Sequence, residues 1–124
     1  MKATEIQVGG DHYKKMAMQP MELISAIRCS FIQGCIIKYI SRYKSKNGAQ
    51  DIKKCIHYAQ LAIELGDKRR CNDKAVSMSI NRYVIQNKLP LLCRKIIFQA
   101  VYNNYEGVMK YCAELLKTEY PENG

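Results

Sequence analysis

The strongest constraint on the fold is a helical repeat of apolar side chains in two neighbouring segments. Apolar residues recur every three or four positions from Phe31 to Tyr43, and again from Ile52 to Ile63. Residues at this spacing share one face of an α-helix. The Ser-Lys-Asn-Gly run at 45–48 separates the two segments and is typical of a turn, with Gly48 available for a left-handed cap of the first helix. Ser30 can cap the start of the first helix, and Gly66 can end the second. The sequence therefore predicts a helical hairpin.

The other strong patterns along the chain are also helical. Pro20 suits the first turn of a helix over residues 20–29, because its missing N–H would be unpaired there in any case. Asp73, Pro90 and Asn104 can each start a later helix. The first 19 residues read as a loop, with a short strand at Glu5–Val8. We predict an all-α fold in which C-terminal helices are added to the hairpin core.

A charged connector at 67–72 divides the chain into two parts of similar length. We predict a helical hairpin domain with an N-terminal loop over residues 1–66, and a helical extension over 67–124 that serves packing or assembly. One hairpin buries little surface, and several helices are apolar on more than one side. Association between copies would cover that surface, so we expect a homo-oligomer.

The net charge of +9 restricts the class of partner. Basic residues exceed acidic ones in both halves, and there is no polybasic tail. This even excess favours a compact anionic ligand, while nucleic acid is a second possibility. No apolar stretch is long enough to cross a membrane and no signal peptide is visible, so we expect a cytoplasmic protein without a membrane partner.

The six cysteines are scattered, without the close pairs that zinc sites or disulfide frameworks show. We interpret them as small, mostly buried thiols. We therefore expect neither a bound metal nor another cofactor.

Cations and phenols recur together on the hairpin. Lys38 and Arg42 are four residues apart, as are Tyr39 and Tyr43. Lys54 and the lysine before it open the second helix, where a positive charge opposes the helix dipole and attracts anions. Cations can pair with phosphates, and phenol rings can stack on bases. This combination predicts a nucleotide site.

The loop before the first helix adds a second group of candidates. Gly10 can let the backbone approach a ligand closely, and His12 and Tyr13 follow with a hydrogen-bond donor and a ring. We expect this loop to close over the bound ligand, either within one chain or across a subunit boundary.

Several kinds of enzyme are disfavoured. The chain has no Gly-rich P-loop motif, and neither His12 nor His57 has metal-ligand neighbours at suitable spacing. Phosphoryl transfer generally needs a metal ion held by carboxylates, and the first half offers few beyond Asp11 and Asp51. Such a site suits holding phosphates better than transferring them.

The pattern over about residues 7–65 resembles a family of small bacteriophage proteins. That family was long catalogued as a domain of unknown function, and it includes the non-P-loop nucleotide kinase of a T-odd coliphage. The resemblance implies a phage or prophage origin, a helical hairpin, oligomer formation and a link to nucleotides. Its motifs in this chain are Gly9-Gly10-x-His12-Tyr13, Pro20-Met21-Glu22, Gly34-x-x-x-Lys38-Tyr39-x-x-Arg42, Lys46-Asn47-Gly48-x-x-Asp51-x-x-Lys54 and His57-Tyr58.

In its size, its charge and its expected oligomer formation, the chain is also similar to phage proteins that sequester cyclic nucleotide signals of bacterial immunity. Our leading hypothesis is such an anti-defence sponge for a cyclic di- or oligonucleotide. A magnesium-dependent nucleoside monophosphate kinase and a basic nucleic-acid-binding protein are the alternatives. The predicted ligand-binding residues are Gly10, His12, Tyr13, Lys38, Tyr39, Arg42, Tyr43 and Lys54; no catalytic residue is predicted.

Overall fold

Six α-helices make up most of the molecule in a computed structural model that describes residues 2–10, 13, 15–71 and 74–123. No strand occurs among these residues, which confirms the all-α prediction. No helix in the described ranges combines the length and apolar character needed to cross a membrane. The helices are α1 (Pro20–Ile27), α2 (Phe31–Arg42), α3 (Ala49–Leu65), α4 (Lys74–Gln86), α5 (Leu91–Val101) and α6 (Tyr105–Glu119), and single 3-10 turns occur at Ala3–Glu5, Tyr43–Ser45 and Pro121–Asn123.

The predicted hairpin is formed by α2 and α3, and local side-chain chemistry sets its ends. Ser30 caps α2: its Oγ accepts a hydrogen bond from the Gln33 N–H at 3.1 Å, and Gln33 Oε1 accepts one from the Ser30 N–H at 2.8 Å. Gly66 ends α3 in the left-handed conformation, as expected. Gly48 has φ 57° and ψ −127° and precedes α3, so it does not form the left-handed cap of α2 that we predicted.

Of the other predicted boundaries, some agree with the structure and some do not. Helix α1 ends two residues early, because Arg28 adopts the left-handed conformation at φ 55°. The predicted strand at Glu5–Val8 is wrong, since a 3-10 turn covers Ala3–Glu5 and no sheet partner is present in the described ranges. Asn104 caps α6 by accepting a hydrogen bond from the Gly107 N–H at 3.1 Å. The predicted cap at Asp73 lies outside the described residues.

One apolar core contains helices from both sides of the connector. Helix α2 packs against α3 and α5, and α3 packs against α6. Most predicted stripe positions are buried, although Phe31 is 81% exposed and Ile63 is 45% exposed because both point away from the neighbouring helices. The fully buried core side chains include Leu23, Ile36, Ile37, Ile40, Ile52, Cys55, Ala59, Ile80, Tyr83, Cys93, Ile96, Ile97, Val108 and Cys112.

The segment before α1 is tied to this core near the end of α4. The Met18 N–H donates to Asn87 Oδ1 at 3.1 Å, and Asn87 Nδ2 donates to the Met18 carbonyl at 2.8 Å. The Tyr13 N–H donates to Gln7 Oε1 at 2.7 Å. These contacts place Tyr13 beside the start of α1, within reach of α2.

Candidate functional site

Three cations converge on the phenol ring of Tyr39. The Lys38 Nζ lies 5.0 Å from the ring centroid, the Arg42 Cζ 4.6 Å and the Lys54 Nζ 4.8 Å. On α2, Arg42 lies four residues after Lys38 and three after Tyr39, so helical spacing brings it close to both, and the packing of α3 supplies Lys54. We call Lys38, Tyr39, Arg42, Asp51 and Lys54 the Tyr39 cluster.

Asp51 holds one side of this cluster in place. Its carboxylate is completely buried and accepts hydrogen bonds from Arg42 Nε and Nη2, each at 3.2 Å. The Asn47 N–H donates to the same carboxylate at 3.2 Å, and Lys54 Nζ lies 3.9 Å from it. Burial tends to lower the pKa of Arg42, but hydrogen bonds to Asp51 and Tyr13 raise it overall, so the guanidinium stays charged.

The Tyr39 cluster carries an excess of positive charge. Lys38, Arg42 and Lys54 supply three positive charges against the single negative charge of Asp51, which leaves two. Attraction to the face of the ring supports the cations but does not neutralise them. A bound anion would complete the charge balance.

Tyr39 supports these cations and also stacks on a second ring. The Tyr39 and Tyr58 centroids are 5.8 Å apart at an interplanar angle of 12°. Burial raises the pKa of Tyr58, and Cys35 and Tyr39 beside it raise it further. Because Tyr58 and the cations occupy the surroundings of the ring, the expectation that Tyr39 stacks on a base is not supported by this geometry.

Lys38 connects the Tyr39 cluster to two clefts beside α1. One cleft has a volume of about 200 Å³ and is lined by Tyr13, Gln19, Pro20, Met21 and Lys38. The other, of about 260 Å³, shares Met21 and Lys38 and is mainly apolar. Burial raises the pKa of Tyr13, and a hydrogen bond with Arg42 partly offsets that rise. The structure thus brings together five predicted site residues: Tyr13, Lys38, Tyr39, Arg42 and Lys54.

Tyr43 does not join them. Its side chain is 2% exposed, and its hydroxyl donates to Glu119 Oε2 at 2.8 Å. Its ring packs edge-on against Tyr120. Tyr43 lies just after α2 in a 3-10 turn, so the four-residue spacing from Tyr39 no longer places both rings on one face. The prediction of Tyr43 as a base-stacking contact is therefore corrected.

The two remaining candidates belong to the N-terminal loop. His12 lies outside the described residues. Gly10 is exposed with φ 152°, and in the part of the chain that the structure describes no contact joins it to the Tyr39 cluster.

Sequence reasoning missed two contributors, Asp51 and Tyr58. Asp51 was considered as a carboxylate that could hold a metal ion, whereas its carboxylate holds Arg42 across the turn. The three-residue spacing between Asp51 and Lys54 was an available signal for an ion pair. The stacking of Tyr58 on Tyr39 had no comparable signal, because it depends on how α2 and α3 pack.

Metal binding finds no support in the side chains around this site. In the ranges described, no three His, Cys, Asp or Glu residues are grouped so that they could hold an ion. The carboxylate of Asp51 is already engaged by Arg42, Asn47 and Lys54.

A comparison with known proteins supports one part of the proposed resemblance, the similarity to a domain family of unknown function. Residues 8–60 match the model of a family described as "Protein of unknown function (DUF3310)". That range contains all eight predicted ligand-binding residues. No curated protein and no solved structure matches the chain. A phage origin and a link to the phage kinase stay predictions. The N-terminal segment through the hairpin is thus similar to a domain family whose function is unknown.

Proposed function

We propose that this protein binds a phosphate-containing nucleotide at the Tyr39 cluster. The observation that carries the proposal is the convergence of Lys38, Arg42 and Lys54 on one ring, with Lys38 also lining the adjoining clefts. Phosphates would pair with Lys38 and Lys54, and the rest of the ligand would occupy the cleft beside Tyr13.

The charge balance favours phosphate as the group that is bound. Lys38 is half-buried, and the Lys54 side chain is 37% exposed, so both ammonium groups are partly desolvated yet reachable. Charge-assisted hydrogen bonds from such groups to phosphate are stronger than those between neutral partners. Arg42 is held by Asp51, so we assign it a positioning role in place of the direct phosphate contact that we expected.

The shape and lining of the clefts favour a base next to that phosphate. Tyr13 and Pro20 offer ring surfaces, and Met21 adds an exposed apolar side chain. A flat heterocycle placed there would lie against apolar groups on one side and reach Lys38 on the other. Tyr13, which we predicted to stack together with Tyr39 or Tyr43, is the stacking residue in this arrangement.

Sequestration fits this site better than turnover. Phosphoryl transfer requires charge stabilisation, usually by a metal ion that carboxylates hold. Asp51 contributes its carboxylate to Arg42 and Lys54 instead. Our specific proposal is therefore a cytoplasmic sponge of phage origin that binds a cyclic di- or oligonucleotide immune signal, as the resemblance implies. A nucleoside monophosphate kinase is the alternative that the same experiment tests.

Homo-oligomer formation is part of the proposal. Met21 is 66% exposed and Phe31 is 81% exposed, and both line the apolar cleft beside Lys38. A second copy packed there would cover these side chains and could close the ligand site.

Native mass spectrometry with a panel of mononucleotides and cyclic oligonucleotides tests ligand and stoichiometry together. Ligand recovered intact after denaturation supports sequestration, whereas a converted ligand supports an enzyme. A strictly monomeric protein that still binds would contradict the oligomer alone.

Matched variants test the site. Lys38→Gln and Lys54→Gln should each weaken binding about tenfold or more, since a charge-assisted hydrogen bond contributes about 1.5–3 kcal/mol. Lys110→Gln is the control, because Lys110 also lies over a tyrosine ring, at 5.5 Å from Tyr111, but on α6. Unchanged affinity in both test variants would reject the Tyr39 cluster as the binding site.

A further inference from the structure

A second basic cleft lies away from the Tyr39 cluster, where the connector passes the end of α1. It has a volume of about 560 Å³, and three of its lining residues are Arg28, Arg69 and Arg70. The wall on the other side comes from the first half of α4, including Ala75 and Ser79. We call this the arginine cleft.

Backbone contacts tie the two arginine-bearing segments together. Arg28 is a non-glycine residue in the left-handed conformation, with φ 55°, which is an unfavourable backbone geometry for such a residue. Its carbonyl accepts a hydrogen bond from Arg69 Nε at 3.1 Å and lies 3.7 Å from Cys71 Sγ. The Arg69 carbonyl is contacted in turn by Gln33 Nε2 at 3.0 Å. These contacts hold the arginines in one place although they are 41 residues apart.

Within the part of the chain that the structure describes, none of the three arginines has a carboxylate within salt-bridge distance. The nearby carboxylate of Asp67 is turned to other partners, accepting hydrogen bonds from Ser30 Oγ and from the Tyr105 hydroxyl, each at 2.7 Å. Arginine presents planar donors that match phosphate oxygens, so the cleft suits a phosphorylated ligand.

An aromatic surface adjoins the arginine cleft. A neighbouring cleft of about 400 Å³ shares Arg70 and Cys71 with it and is also lined by Lys68 and Tyr102. The Tyr102 ring is 42% exposed and stacks on Phe98, with centroids 6.0 Å apart at 16°. The ring is therefore supported from behind and presents part of its surface to solvent beside the cations.

We propose that these two adjoining clefts bind a single-stranded nucleic acid, with phosphates on Arg28, Arg69 and Arg70 and a base stacked on Tyr102. Single strands are recognised through backbone cations combined with exposed aromatic rings, since every base has a face that can stack. Base faces are hidden inside a duplex, so a duplex could use only the cations. These two clefts share no residue with the Tyr39 cluster. Oligonucleotide binding there can therefore be tested independently of the proposed nucleotide site.

Fluorescence anisotropy with a labelled oligonucleotide of about a dozen nucleotides, within the site sizes of single-strand binders, tests the proposal. RNA and DNA strands are run in parallel, and binding of either one supports it. The double variant Arg28→Asn/Arg70→Gln should bind about tenfold more weakly or worse. Asparagine tolerates the left-handed conformation, which keeps the turn after α1 intact. The slope of log affinity against log salt should fall by about 1.4, at about 0.7 for each lost single-strand phosphate contact.

The double variant Lys44→Gln/Lys46→Gln is the matched control, because it removes the same charge from an exposed turn elsewhere. An equal loss of affinity in this control would show only diffuse attraction and would overturn the proposal. Tyr102→Leu should weaken binding, whereas Tyr102→Phe, which keeps the ring, should not. A duplex of the same sequence that binds as tightly as the single strand would also overturn it.

Discussion

The Tyr39 cluster and the arginine cleft use the same kind of side chain in opposite ways. In the first, Asp51 is buried and holds Arg42 through two hydrogen bonds, so part of the positive charge is neutralised inside the protein. In the second, the nearby Asp67 carboxylate accepts hydrogen bonds from Ser30 and Tyr105. Among the described residues no carboxylate forms an ion pair with the arginines, so their charges face solvent or a ligand.

This difference indicates that a buried carboxylate determines whether nearby cations are held within the fold or remain available to bind a ligand. A buried ion pair positions its members and makes their removal costly, whereas exposed cations contribute little to folding and remain available for binding. We therefore expect substitutions in the Tyr39 cluster to affect both stability and binding. Substitutions in the arginine cleft should affect binding alone.

The largest effect is expected for Asp51→Ala. Removal of the carboxylate leaves the half-buried Arg42 guanidinium, with a side chain 12% exposed, without its ion-pair partner. Breaking a buried pair costs about 3–5 kcal/mol in the free energy of unfolding. Urea denaturation measures this loss in the free energy of unfolding, with Glu114→Ala on the exposed face of α6 as the control. A loss no greater than in the control would remove the contrast between the two regions.

Gln33→Leu should have the next largest effect. Gln33 is completely buried, and its Nε2 lies 3.0 Å from the Arg69 carbonyl and 3.1 Å from the Ala100 carbonyl. Leucine removes both hydrogen bonds and also leaves the Ser30 N–H, which donates to Gln33 Oε1 at 2.8 Å, without its acceptor, at a cost of about 1–3 kcal/mol. Because the Arg69 carbonyl belongs to the connector, oligonucleotide binding should weaken while nucleotide binding is retained. The exposed Gln60→Leu is the matched control, and equal oligonucleotide affinity in both variants would contradict this link.

A cross-comparison of Lys54→Gln and Arg70→Gln tests whether the two sites are independent. Each variant should lose about tenfold in affinity for its own ligand, corresponding to about 1.4 kcal/mol, and retain the other affinity. In the double variant the losses should add within about 0.5 kcal/mol, as expected for separate sites. Calorimetric titration of the protein and of all three variants with each ligand measures these affinities. Strong coupling would mean that a single ligand occupies both regions.

The smallest effect concerns alkaline stability at Cys29, the residue that follows Arg28. Burial, followed by the neighbouring Cys71, raises the pKa of Cys29 to about 12 from an ordinary value of 9.0. The folded state thus favours the neutral thiol, so this contribution is present below pH 9 and is lost as the pH rises through about 12. The slope cannot exceed about 1.4 kcal/mol per pH unit for one group.

Melting curves of the protein and of Cys29→Ser between pH 8 and 10.5 measure that contribution. The protein should lose stability more steeply than the variant, because serine does not titrate in this range. Parallel curves would show that the Cys29 thiol is solvated as in the unfolded chain.

Much of the fold could be predicted from local sequence because helix formation depends on residues close along the chain. Ser30, Gly66 and Asn104 act at helix ends as expected. The spacing of Lys38, Tyr39 and Arg42 also correctly placed these side chains together. The prediction for Tyr43 was wrong because α2 ends at Arg42. The 3-10 turn that follows directs the Tyr43 ring into the core.

The helices and the approach of Arg42 to Lys38 and Tyr39 follow from the helical repeat, and the caps follow from the residue types at the helix ends. Three other contacts are set by packing alone: Asp51 faces Arg42 across the turn, Tyr58 stacks on Tyr39, and Arg28 meets Arg69 and Arg70. These contacts depend on the angle and depth at which helices pack. That packing arises from the whole apolar core and leaves no local pattern in the chain.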